Sequence, residues 1–145
     1  MELKKNAILT IAKSRILSAD TELESLDHNK WETFVENNPN YFIWNEETDE
    51  GKEIIKNINN YSERIKNKLF STLNKGVCFT EFNEQKKSYN ISVTFYEELN
   101  WITIQFARTP KLEDLKIFVD MAKHLDALLL VDGTRIIDEK MIEEL

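Results

Sequence analysis

From Val77 to Ile137 the chain falls into short alternating segments, and that alternation limits the fold more than any other feature. The first three segments are Val77 to Phe82, Tyr89 to Tyr96 and Trp101 to Phe106. In the second, Tyr89, Ile91, Val93 and Phe95 point one way while Asn90, Ser92 and Thr94 point the other. Ile102, Ile104 and Phe106 repeat the pattern in the third. A period of two with one apolar side predicts strands buried on one face and wet on the other, as in an antiparallel sheet. The links Asn83 to Ser88 and Glu97 to Asn100 are polar and short enough for hairpins.

Thr109-Pro110 supplies a helix cap and a first-turn proline. Leu112, Leu115, Phe118, Val119, Ala122 and Leu125 follow as one apolar stripe. Ala127 to Val131 predicts a buried strand, Asp132-Gly133 the type I′ turn after it, and Thr134 to Ile137 the return. Asp138 caps a last short helix. The C-terminal half, 77–145, therefore reads β-β-β-α-β-β.

Residues 1–76 read as mainly helical. Leu3, Ala7, Ile8, Ile11, Ala12 and Ile16 are spaced for one helix face over 2–17, with a strand over Ala7 to Ala12 as the competing reading. Trp31, Phe34 and Val35 mark a short helix that must end before Pro39. Tyr41 to Trp44 is aromatic and β-branched, fitting a short strand or a buried connector. Thr48 or Asp49 caps a helix bearing Ile54, Ile55 and Ile58, and Ser62 caps another bearing Ile65, Leu69, Phe70 and Leu73. Gly76 ends the latter in the left-handed conformation. The expected fold is α+β: one domain over 1–145, with an N-terminal helical half on an antiparallel sheet of about four or five strands.

Hydrophobic residues at 41% and charged residues at 31% are globular proportions and argue against disorder. The single cysteine, Cys78, excludes an internal disulfide and a thiolate metal cluster. The apolar stretch Ala7 to Ala12 is too short for a membrane span and poor as a signal peptide, so the expected compartment is the cytoplasm and no membrane is expected. The Asn60 and Asn90 glycosylation patterns read as chance. A net charge of -7 repels phosphate backbones, so direct nucleic-acid binding is not expected. Carboxylates dominate residues 20–53, whereas 56–87 leans basic through Arg64, Lys66, Lys68, Lys75, Lys86 and Lys87.

No motif for catalysis, metal or nucleotide binding stands out, and no cofactor or metal is expected. His124 follows Asp120 by one helical turn but falls where a helix C-terminus favours a cation. Cys78 sits in a strand and reads as a packed thiol. Glu46, Glu47, Asp49 and Glu50 lack the regular spacing of a calcium loop, and the last two suit a helix N-terminus. Gly51, inside the first turn of a helix, has no explanation at this level. Trp44 beside these carboxylates has the character of an interface anchor, and Trp101 is expected on the outer sheet face.

The function expected is an acidic inhibitor that occupies a basic site on a protein partner, such as the immunity partner of a bacterial toxin or an antitoxin. The partner would be a basic protein, possibly a nuclease toxin, held by Trp44, Glu46, Glu47, Asp49, Glu50 and Trp101, with the chain a monomer or weak homodimer. The first alternative is a small enzyme or ligand-binding domain with a pocket between helices and sheet, walled by His124, Cys78 or Tyr96. The second is a self-associating adaptor that pairs through an edge strand.

Overall fold

The computed structural model describes Leu3 and residues 7–143, apart from the side chains of residues 71 and 72. In chain order the elements are β1 (Ile8–Ala12), α1 (His28–Glu36), β2 (Ile43–Trp44), α2 (Asp49–Lys56), α3 (Glu63–Leu73), β3 (Val77–Asn83), β4 (Ser88–Tyr96), β5 (Trp101–Phe106), α4 (Leu112–His124), β6 (Leu128–Val131), β7 (Arg135–Ile137) and α5 (Glu139–Glu143). Among the described residues, seven strands form one antiparallel sheet in the order β2-β3-β4-β5-β1-β6-β7. The fold is α+β.

Two of the expectations about the N-terminal half are overturned. The sheet has seven strands, not four or five, and the half before residue 77 is not simply a helical layer. Residues 8–12 form a strand, not a helix, and residues 13–27 hold no helix. The apolar spacing of 2–17 suits either period, and tertiary context decides between them. β5 and β6 each pair with β1, so a strand there satisfies backbone groups on both sides. Ile8, Thr10 and Ile11 are β-branched and fit a pleated surface.

The registers align the core in rows across the sheet. Val93, Ile104, Leu9 and Val131 form one, and Phe95, Ile102, Ile11, Leu129 and Ile137 the next. All nine are buried, six of them with no more than 1% exposure. α1 and α4 pack on this face. Trp31 lies with its ring 5.2 Å from that of Phe95, and Phe118 meets Phe106 edge-on at 6.1 Å. The other face carries the alternate residues. There Thr94, Thr103 and Thr10 align, and Ser92 lies opposite Gln105.

Several local expectations hold. Thr48, Ser62 and Asp138 each accept a backbone N–H at a helix start. Asp132 and Gly133 take consecutive φ of 54° and 73°, and Thr134 N–H closes the turn on Val131 O, giving the type I′ geometry. Two caps differ. α4 starts at Leu112, not at Pro110, because the Asp114 carboxylate turns back to accept the Lys111 N–H at 2.8 Å. After α3 the left-handed residue is Lys75 (φ 54°), not Gly76, because its amide and carbonyl are both engaged by side chains. α4 ends in a Schellman motif: Ala127 N–H bonds Ala122 O, Asp126 N–H bonds Lys123 O, and Asp126 has φ 54°. Lys13 donates to the Leu125 and Asp126 carbonyls there, tying the chain after β1 to the negative end of α4.

The helices differ in how firmly they are held. α4 buries Leu115, Phe118, Val119, Met121 and Ala122. Among described side chains, α2 and α3 bury only Gly51 and Leu73, while Ile55, Ile65 and Phe70 remain exposed. No helix among the described residues is long and apolar enough to cross a membrane. Substitution should follow this division. In urea unfolding, Ile11→Ala should cost about 2–5 kcal/mol through the cavity it leaves, whereas Ile55→Ala should stay within about 0.5 kcal/mol.

Candidate functional site

β2 is only two residues long and pairs with the start of the longer β3. Ile43 pairs with Phe79 and Trp44 with Cys78, and the chain then leaves the sheet in a 3-10 turn over Asn45–Glu47. Thr48 stops that turn and caps α2, donating its hydroxyl to Asn45 O at 2.7 Å while accepting Gly51 N–H at 2.9 Å. Gly51 is explained by the same contact. A Cβ there would lie 1.9 Å from Asn45 O, so only glycine lets the first turn of α2 close onto the 3-10 turn. Glu46 fastens the turn from the other side, its Oε2 accepting Lys75 N–H at 2.7 Å.

This construction sorts the candidate residues. Glu47, Asp49 and Glu50 are exposed, and none forms an ion pair among the described residues. Asp49 and Glu50 occupy the first turn of α2, where the helix dipole favours negative charge. Glu46 points inward and is a fastening, not a free charge. Trp44 is corrected as an anchor. It is 5% exposed and meets Trp31 edge-on at 5.3 Å, because pairing with Cys78 turns it to the core face. Trp101 lies half-buried opposite Tyr96 on the far side of β4, separated from β2 by two strands. The structure therefore brings Glu47, Asp49 and Glu50 together and leaves Trp101 apart.

His28 is the residue that sequence reasoning missed. Its Nδ1 lies 2.8 Å from Glu32 and its Nε2 2.9 Å from Lys75 O, so it holds the carbonyl of the residue whose amide holds Glu46. Its ring also packs edge-on against Phe95 at 4.8 Å. The spacing of His28 and Glu32 by four positions was the available signal.

A second polar cluster lies where β3, the end of β5 and the start of α4 meet. Arg108 bonds Glu81 with two nitrogens and Asp114 with two; the Nη2–Oε1 and Nη1–Oδ2 contacts are both 2.8 Å. Asp114, 5% exposed, also accepts from Tyr41 Oη at 2.9 Å. Hydrogen bonds from Arg108 hold the Glu81 carboxyl below the usual range. Burial, then the Asp114 charge, push the Tyr41 phenol up, so it stays a donor. Glu81 carries φ 62° inside a strand, a strained value for a residue with a side chain. With both faces of its fork occupied, Arg108 joins three elements and has little left to offer an external anion.

The groups considered for catalysis lie apart. Cys78 is fully buried and its thiol is pushed up by burial, then by the Glu46 charge. His124 is exposed at the end of α4, its ring 5.7 Å from Phe34, and Tyr96 sits on the opposite sheet face. A cleft of about 580 Å³ between α4, the β6–β7 hairpin and α5 is lined by Val119, Ala122, Leu129 and Ile137 with Lys123 and Glu139 at its edge, and by none of these three. Among the described residues, no group of three or more His, Cys, Asp or Glu is placed to hold a metal ion. The chain matches no protein-family model, none of the curated proteins and none of the solved structures compared with it.

Two measurements check this account. Gly51→Ala should cost about 1–3 kcal/mol, because the added methyl meets backbone, and should disturb the amide resonances of residues 45–50. Arg108→Ala should cost roughly 3 kcal/mol by leaving Asp114 buried without its cation. The Glu81 contribution has a definite pH sense. Because its folded value is lowered, the stabilisation is complete above the ordinary glutamate value of about 4.3 and fades as pH falls through the lower folded value. Glu81→Gln should therefore lessen the loss of stability expected of the wild-type protein as pH falls below about 4.3, measured by urea unfolding across that range.

Proposed function

We propose that this chain is an acidic protein-binding inhibitor that presents Glu47, Asp49 and Glu50 to a basic site on a partner protein, in the manner of an immunity protein or antitoxin that covers the active site of a toxin. The observation that carries this reading is three exposed carboxylates, without an ion pair among the described residues, on and just after a turn held by side-chain hydrogen bonds. A preorganised group loses little freedom on binding, so charge attraction converts more fully into affinity. Carboxylates of one sign also raise the rate of encounter with a basic groove, and a nuclease toxin has such a groove. Trp44 and Glu46 act behind this surface as its support.

The test begins with capture from the source cells at low salt, using the wild-type protein beside a Glu47→Gln, Asp49→Asn, Glu50→Gln triple variant. The expected result is one basic protein retained in stoichiometric amount by the wild type, lost from the triple variant and released by raising salt. Titration of that purified partner should show each single neutralisation weakening binding by about tenfold, and co-expression should restore growth of cells that produce the partner. A triple variant that binds as tightly as wild type, or binding unchanged by salt, refutes the proposal.

A further inference from the structure

His28 presents both ring nitrogens to acceptors. Nδ1 lies 2.8 Å from a Glu32 carboxylate oxygen, and Nε2 lies 2.9 Å from the Lys75 carbonyl oxygen. A neutral imidazole has one N–H and one lone pair, so it can satisfy one of these acceptors and must turn a lone pair toward the other. The imidazolium, a donor at both nitrogens, satisfies the two together. The residue at the far end is held from three sides. Lys75 has φ 54°, a left-handed value that is costly for a residue with a side chain. His28 holds its carbonyl, Glu46 its amide at 2.7 Å and Glu36 its ammonium at 2.8 Å. Glu36, Glu32 and Glu46 all act on that ammonium, Glu36 most strongly. Three carboxylates around one ammonium leave the surroundings of the ring negative, which favours a positive imidazole. Phe95 of β4 and Trp31 meet the ring at 4.8 Å and 5.6 Å and bring no charge.

We propose that His28 is held in this fold as an imidazolium and acts as a pH-sensitive tie between α1 and the acidic turn, released at Lys75 when one ring proton leaves. The release falls on that side for a chemical reason. A ring with a single proton keeps it toward Glu32, because that bond is charge-assisted and a lone pair facing a carboxylate is the worse alternative. The Nε2 lone pair then faces the Lys75 carbonyl, and the two repel. With its carbonyl free, Lys75 can leave the left-handed conformation, and the amide that holds Glu46 turns with it. The His28 side chain is 32% exposed, so protons reach the ring without unfolding. The tie is intact at low pH, where both nitrogens carry protons, and is lost as pH rises. That sense is opposite to the Glu81 contribution, which fades as pH falls. The inference stands on the two acceptors of the ring and on the backbone of Lys75, and does not depend on the inhibitor reading.

The experiment is ¹⁵N and ¹³C NMR of the full-length protein from about pH 5.5 to about pH 9, a range that spans the ordinary histidine value of about 6.5. His28 and His124 are the two histidines, so the ring signals lost in His28→Gln belong to His28. The expected result is a protonated-type shift at both His28 ring nitrogens at about pH 7.5, where a free histidine is mostly neutral. As pH rises further, the Lys75 carbonyl and amide signals should move with the same midpoint as the ring. Protection of the Lys75 amide from hydrogen exchange, corrected for the intrinsic rate, should fall about tenfold over that step. His28→Gln should leave the Lys75 signals insensitive to pH across the range, and Glu32→Gln should move the ring midpoint to lower pH. A bare ring nitrogen at about pH 7.5 in the wild-type protein overturns the proposal. So does a proton found on Glu32 in place of the ring, or Lys75 signals that do not follow His28.

Discussion

The pairing of β1 with β5 on one side and β6 on the other is the contact on which the rest of the molecule depends. Without it the β2-β3-β4-β5 portion and the β6-β7 hairpin would be separate sheets, each with an unpaired edge. With it, Leu9 and Ile11 enter the two apolar rows that α1 and α4 cover. The Lys13 contacts then lock the end of α4 to the residue that follows the strand. A single short strand thus joins the sheet and positions the helix that lies on it.

Charge is sorted by depth in this protein. Glu46, Glu81 and Asp114 each hold a hydrogen-bonded place that fixes a turn, a strand or a helix start. Glu47, Asp49 and Glu50 sit a few residues from Glu46 and are exposed. Residues adjacent in sequence therefore have opposite duties, one bracing the turn and the others facing outward. The left-handed φ at Glu81 interrupts the regular β3 backbone in the part that runs past the end of β2, where the Glu81 carboxylate meets Arg108. An interrupted edge is a poor template for another strand.

What could be read from the sequence was whatever neighbours decide among themselves. The three-strand meander, the α4 stripe, the Asp132-Gly133 turn and the caps at Thr48, Ser62 and Asp138 each depend on residues a few positions apart. β1 was misjudged because Ile8, Ile11 and Ala12 suit both periods, and the decision lies with β5 and β6, far along the chain. Trp44 looked like a surface anchor because of the acids beside it, yet its direction is set by pairing with Cys78. Glu46 looked like its neighbours because its partner, Lys75, is 29 residues away. Among the residues named for a partner, the exposure of Glu47, Asp49 and Glu50 follows from their own turn and helix start, whereas the burial of Trp44 and the place of Glu46 are set by distant pairing.

The position of β1 has a consequence for how the protein is made. The strand leaves the ribosome long before either strand that will flank it, while the hairpins of β3, β4 and β5 can close as soon as they are synthesised. The growing chain must carry Leu9 and Ile11 uncovered until β5 has emerged, and the sheet is completed only once β6 arrives. Such late closure across long sequence separations slows folding and leaves apolar surface accessible during synthesis. A ribosome stalled before β6 would hold a chain whose β1 still has one unpaired side, so this sheet closes only when the last strand that flanks β1 has been made.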